Sequence, residues 1–231
     1  MILPLSPSQK LRAVFPITLP VMTGYLCLGF AFGVLMRTHG FSPIWAAAMS
    51  LIVFAGSMEF VGITLLVSPF APLSAFFLSV LVDARHLFYG LSLLKEYGGT
   101  GRRKALLVSL LSDETFSIVT SVPPPIGVPA RDFYLMVSVF DYGYWQAGTL
   151  LGALLGGDLP FNTQGLDFAL TALFVVLLIE QLKERKKRPA GAVGLICALL
   201  ALALFGGNNM VVASMVLILA ALILGRKVFE R

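Results

Sequence analysis

The chain alternates long apolar runs with short polar, glycine-rich or proline-rich breaks. The runs cover 14–36, 44–67, 72–97, 105–122, 133–155, 165–182, 192–205 and 210–224. An α-helix needs ~20 largely apolar residues to cross a hydrocarbon core, and most of these runs approach that length. The pattern predicts an all-α polytopic membrane protein of seven to eight apolar segments. Residues 1–13 form a basic, proline-containing N-terminal segment expected on the cytoplasmic side, and 14–231 a single transmembrane domain. The first run shows no small-residue cleavage pattern and is longer than a signal-peptide core, so it reads as a retained helix. The last two runs are separated by Gly-Gly-Asn-Asn and carry no charge, which predicts a helical hairpin over about 190–226.

Prolines and glycines refine this picture. Pro16 and Pro20 fall in the first two turns of the first run, where they would kink a helix or leave carbonyls unpaired. A broken helix lining a cavity and an ordinary packed helix both fit the 16–24 region. Gly29 and Gly33, and then Gly148, Gly152 and Gly156, recur every four residues, the spacing that lets membrane helices approach closely. A faint twofold repeat of three segments, about 14–97 and about 103–184, is visible. Asp83 to Glu96 and Asp167 to Glu180 match in length, with Leu93-Leu94 and Leu177-Leu178 in equivalent places. An inverted repeat of this kind is common in secondary transporters and puts the site near the midplane.

Composition supports the membrane reading. The apolar set makes up 58% of the chain and charged residues 13%, against ~45–50% and ~25% in soluble domains. Net charge is +5, from 17 basic and 12 acidic residues, and the basic residues sit mainly at the ends of apolar runs. They therefore bear on orientation, not on nucleic acid. Lys-Glu-Arg-Lys-Lys-Arg at 183–188 and the basic C-terminus place both termini in the cytoplasm by the positive-inside rule. With eight strict crossings Arg102, Arg103 and Lys104 land outside, against that rule. A re-entrant segment in each repeat is the alternative, and the sequence leaves both open. Cys27 and Cys197 each lie inside an apolar run and predict no disulfide.

Candidate chemistry lies where charges interrupt the runs. Asp83, Arg85 and His86 fall within Ser-Val-Leu-Val-Asp-Ala-Arg-His-Leu-Phe-Tyr-Gly, with Asp83, His86 and Gly90 on one helix face and Arg85 and Tyr89 on the next. Glu59 is the one charge in its segment, preceded by Ala55, Gly56 and Ser57, which lower helix propensity. Asp113 and Glu114 follow in the fourth run and Asp141 in the fifth. Ionisable residues in hydrocarbon are costly and usually face a bundle interior, paired; a purely structural Asp83–Arg85 staple is the plain alternative. An amino acid zwitterion needs a cation for its carboxylate and an anion for its ammonium. Arg85 is the one embedded cation, Lys95 lying near the end of the same run, and Asp83, Glu59, Asp113, Glu114 and Asp141 are candidate anions. His86 adds a group able to titrate near neutral pH. Asp83 is expected to pair with Arg85, and Glu59, with no basic neighbour in its own segment, to carry a coupled proton. No metalloprotease, nucleophile-elbow or P-loop signature is present, so neither an enzyme nor a cofactor is expected. A passive channel or an accessory membrane protein for another small solute is the alternative class.

Phe-Ala-Gly-Ser-Met-Glu-Phe at 54–60, Asp-Ala-Arg-His-Leu-Phe-Tyr-Gly at 83–90 and Ser-Asp-Glu-Thr-Phe at 112–116 resemble the AzlC family of bacterial membrane proteins. The similarity runs over most of 10–185. It implies the large subunit of a branched-chain amino acid exporter of the cytoplasmic (inner) membrane. It also implies a small, separately encoded AzlD-like membrane subunit and transport driven by the proton gradient. The chain departs from the family pattern at Asp83, where the family has Asn, and at Glu59, where it usually has Gln. Each exchange replaces an amide by an ionisable carboxyl.

Overall fold

The computed structural model describes residues 5–157, 168, 175, 178–179, 182–183, 185 and 188–225. They divide into two compact units, Met1–Asp167 and Phe168–Arg231. The first contains α1 (Pro7–Thr38), α2 (Pro43–Val53), α3 (Gly56–Val67), α4 (Pro72–Ser92), α5 (Arg103–Ser109), α6 (Asp113–Ser121) and α7 (Ala130–Leu155). The second contains α8 (Arg188–Leu224), two helical runs that meet at Gly206, whose φ of 70° and ψ of 174° are not helical. That break falls in the Gly-Gly-Asn-Asn stretch. Most of the expected segment 165–182, the last of the three in the second copy of the repeat, lies outside the described residues.

Helix starts follow local chemistry. Ser6 caps α1 in a reciprocal box with Gln9, and Pro7 fills the first turn, where its missing N–H costs nothing. Pro43 and Pro72 do the same for α2 and α4. Among the described residues two helices, Pro7–Thr38 and Arg188–Gly206, are long and apolar enough to cross a membrane. α1 runs unbroken through Pro16 and Pro20, so no cavity-lining break occurs at 16–24.

The breaks are elsewhere. The second predicted segment splits into α2 and α3 at Phe54 and Ala55, with Phe54 at φ 40°, a left-handed conformation that a bulky residue rarely adopts. The fourth splits into α5 and α6 around Leu110, Leu111 and Ser112. At ~1.5 Å per residue, helices of 11, 12, 7 and 9 residues each reach only ~10–18 Å, short of a ~30 Å core.

Each pair of half-helices turns back on itself. Along α2, Ser50 meets Thr149 and the Leu51 carbonyl accepts from Tyr142, so α2 descends α7. α3 then begins beside Trp145 at Gly56 and climbs until Phe60 meets Phe32 of α1, at 5.7 Å between ring centroids. α5 starts at Arg103, which binds Asp132 at the foot of α7. α6 begins level with Asp141 and returns, burying Ile118 and Val122 against Val14, Val128 and Phe133. The two pairs therefore enter the unit from opposite ends, and their tips meet. Strict crossing by segments two and four is thereby replaced by two re-entrant pairs.

The scaffold around the tips is the α1–α7 contact. The helices run parallel, with Gly29 against Trp145 and Thr149 backbone and Gly148 against Leu26 and Tyr25 backbone. A Cβ at Gly148 would sit 2.8 Å from the Leu26 carbonyl oxygen, which only glycine avoids. The glycine ridge therefore serves an interface within the chain. α4 runs opposite to α7, placing Leu93 and Tyr97 in a cluster with Leu107, Leu111 and Val119. Outward faces stay apolar, with Ile52 82% and Phe70 93% exposed, as lipid contact requires.

Candidate functional site

The polar residues singled out from sequence converge where the two tips meet. Arg85, near the middle of α4, bonds the first turns of α3 and α6, the second helix of each re-entrant pair. One terminal nitrogen donates to Ser57 Oγ of α3 at 2.7 Å, and the other lies 3.0 Å from Asp113 Oδ2 of α6. Both charged side chains are only partly exposed, at 30% and 20%. The guanidinium suits this place because it holds its charge and presents several donors in a fixed plane.

Asp113, not Asp83, is thus the carboxylate that Arg85 holds. Residues two apart on a helix point to nearly opposite sides, so Asp83 is turned away from Arg85. It faces His86 one turn on, with 3.7 Å between Oδ1 and Nδ1. His86 in turn lies edge-on to Tyr89, whose ring stacks on Phe116 of α6 at 4.3 Å.

Each remaining carboxyl has its own neutral partner. Glu59 is fully buried in the first turn of α3, and both its oxygens accept from Trp145 Nε1, at 2.9 and 3.0 Å. Gly56 makes room for this, since a Cβ there would sit 2.8 Å from the indole ring. Among the described residues no Lys or Arg pairs with Glu59. Glu114 accepts a short hydrogen bond from the Tyr25 hydroxyl of α1. The Tyr25 ring packs edge-on against Trp145, with centroids 5.3 Å apart. Asp141 of α7 is fully buried, and its Oδ2 accepts from Thr115 Oγ1 at 2.7 Å. Thr115 is held by Ser112, which caps α6 and donates to the Thr115 hydroxyl.

Sequence reasoning overlooked Tyr25, and it gave Trp145, Ser57 and Thr115 no role at the site. The signal was available: Tyr and Trp buried in an apolar run still need a partner for their O–H or N–H. α3 also starts with no side-chain cap. Its first-turn N–H groups, the positive end of the helix dipole, therefore lie beside Arg85 without a competing acceptor from a capping residue. The site offers a planar cation with an uncapped helix start, several carboxyls and aromatic walls. That set suits a small zwitterion with an apolar side chain. Among the described residues no group of His, Cys, Asp and Glu is arranged to hold a metal ion.

The family model described as AzlC protein matches residues 20–159, which includes all seven candidate site residues. The chain is 43% identical over 220 residues to the branched-chain amino acid transport protein AzlC of Bacillus subtilis, covering 95% of this chain and 87% of that one. It is 38% identical over 222 residues to an uncharacterized membrane protein of Helicobacter pylori strain 26695, covering 96% and 97%. It is 30% identical over 196 residues to the inner membrane protein YgaZ of Escherichia coli, covering 81% and 79%. No solved structure matches the chain. The chain is a membrane protein and belongs to the AzlC family, which is associated with transport.

Proposed function

We propose that the chain is a multi-pass secondary transporter of the cytoplasmic membrane. It exports branched-chain or other hydrophobic amino acids in exchange for protons and acts with a small AzlD-like subunit. The observation that carries this reading is Arg85, which joins the tips of two oppositely inserted half-helix pairs within one polar site. A substrate carboxylate competes with Asp113 for the guanidinium, and no N-cap side chain bonds the start of α3 beside it. Tyr25, Tyr89, Phe116 and Trp145 supply surface for the apolar side chain. The tips give the site its two-state character. Whichever pair withdraws opens the site to its own side, and a bond exchanged at Arg85 links that movement to occupancy. The small subunit enters on family grounds, together with the apolar outer faces.

Glu59 carries the coupled proton in this account. It is buried, lacks a cation, and shares Trp145 with the aromatic wall, so its charge state bears directly on the site. Purified protein in vesicles takes up labelled leucine faster when a pH gradient is imposed. Glu59→Gln keeps leucine binding and loses that acceleration. Uptake by Glu59→Gln with unchanged gradient dependence would show that the proton travels elsewhere.

A further inference from the structure

The two halves of the site obey a common register. Adding 56 to a residue number takes Phe54 to Leu110, Ser57 to Asp113, Phe60 to Phe116 and Arg85 to Asp141. The elements correspond in the same order: α2, α3 and α4 in 43–92, and α5, α6 and α7 in 103–155. One re-entrant pair enters from each end, and α4 runs opposite to α7, so the relation is an inverted one. Contacts match as well. Within each copy the long helix reaches the first turn of its own half-helix, Arg85 to Ser57 and Asp141 to Thr115, both at 2.7 Å. Across the copies, Arg85 reaches Asp113 of α6 and Trp145 reaches Glu59 of α3. Equivalent positions thus hold a guanidinium in one copy and a carboxyl in the other.

Both prongs carry buried polar atoms without a hydrogen-bond partner. On the α4 prong these are Arg85 Nε, a donor, and Asp83 Oδ1 and His86 Nδ1, which lie 3.7 Å apart. On the α7 prong they are Asp141 Oδ1, Ser138 Oγ and Gln146 Nε2, and Asp141 and Ser138 are 0% exposed. Ser138 stands one turn before Asp141 on the same face. Ser79, Ser92, Ser109 and Thr120 each return their hydroxyl to the carbonyl four residues back. Ser138 makes no such bond, which leaves its oxygen available. Buried polar atoms without partners are rare and need a reason. Asp113 and Asp83 also keep one oxygen without a hydrogen bond, but both are partly exposed and each has a basic side chain beside it, Arg85 and His86. Glu59 uses both oxygens on Trp145 and Glu114 takes Tyr25. Among the described residues Asp141 has no ion-pair partner.

We propose that Asp141 and Ser138 form the ammonium-binding half of an amino acid site whose carboxylate half is Arg85, one half from each copy of an inverted repeat at 43–92 and 103–155. The proposal rests on the amino acid reading above and assigns which residue reads which end of the substrate.

Competition against labelled leucine, with the purified protein in nanodiscs, separates the two ends. The probes are 3-methylbutylamine, which lacks the carboxylate, and 4-methylpentanoate, which lacks the ammonium. The unmodified protein prefers leucine to each by about tenfold or more, the worth of one charge-assisted contact. In Asp141→Asn the preference for leucine over 4-methylpentanoate collapses, while the preference over 3-methylbutylamine persists. Arg85→Gln gives the opposite pattern. Ser138→Ala shifts the ratio as Asp141→Asn does, by a smaller factor, and supplies the answer where the Asp141 variant fails to insert. If leucine still binds but the ratio to 4-methylpentanoate is unchanged in these variants, the assignment of the ammonium end is wrong and the transporter reading stands. If leucine does not bind the unmodified protein, both fall together.

Discussion

Asp132 stands just before the span predicted from residue 133, within 2.7 Å of Lys10 and 2.9 Å of Arg103. Its hydrogen bond from Lys10, reinforced by Arg103, holds its carboxyl below the usual Asp range. A carboxyl with a depressed folded-state pKa contributes stability above its unfolded value of ~3.9, and that stability is lost as pH falls through the folded value. The contribution is therefore constant from about pH 5 upward. Asp132→Asn is expected to cost about 1 kcal/mol near neutral pH, as a partly exposed charged network does. The difference in Tm from the unmodified protein should shrink as pH falls below about 4, and a difference that stays constant as the carboxyl is protonated would show that charge is not its source. At the tips the single-residue lesson is different. The sequence exposes Arg85 and Glu59 as charges in apolar runs, but their partners come from helices 28 to 86 residues away in the chain. Spacing within one segment could therefore suggest Asp83 for Arg85 and could not find Trp145 for Glu59.

Among the elements, what was legible followed from short-range rules. The glycine spacing in α1 and α7 announced close packing, and the two ridges do meet. Gly148→Val is expected to prevent assembly, because the added atoms fall on Leu26 and Tyr25 backbone, which cannot yield as a side chain can. Gly24→Ala on the same helix pair meets nothing within 4 Å and should leave yield and thermal stability unchanged. Equal loss for both would contradict the contact as its source, because alanine and valine each favour a helix over glycine. The breaks were harder to place. Pro16 and Pro20 are the stronger local signals, yet α1 absorbs them near its start. The actual breaks at 54–55 and 110–112 contain no proline. The first is held by a tertiary contact, the Phe54 ring on Tyr142, and the second by the local Ser112 cap on Thr115, which is itself tied to Asp141.

For the first unit as a whole, two re-entrant pairs remove the conflict over charge. Lys10 and Arg103 share Asp132, so the start of α1 and the Arg102–Lys104 cluster lie at one end. With that end cytoplasmic, the basic cluster obeys the positive-inside rule that strict crossings would break. In a variant with Cys27 and Cys197 replaced, a cysteine at position 102 should react only with a reagent supplied from the cytoplasmic side. One at position 70 should react only from the other side. Reaction at 102 from the outside and at 70 from the cytoplasm, as strict crossings require, would overturn the re-entrant arrangement.

The central claim is that Arg85, at the junction of the two tips, binds the carboxylate of a transported amino acid. Leucine counterflow in proteoliposomes tests it without any pH gradient, so the outcome does not depend on how the proton travels. The unmodified protein loaded with leucine should accumulate labelled leucine. Arg85→Lys, inserted to the same level, should lose most of that exchange, because a point charge cannot hold the carboxylate through two parallel bonds. Counterflow by Arg85→Lys at the rate of the unmodified protein would contradict the account.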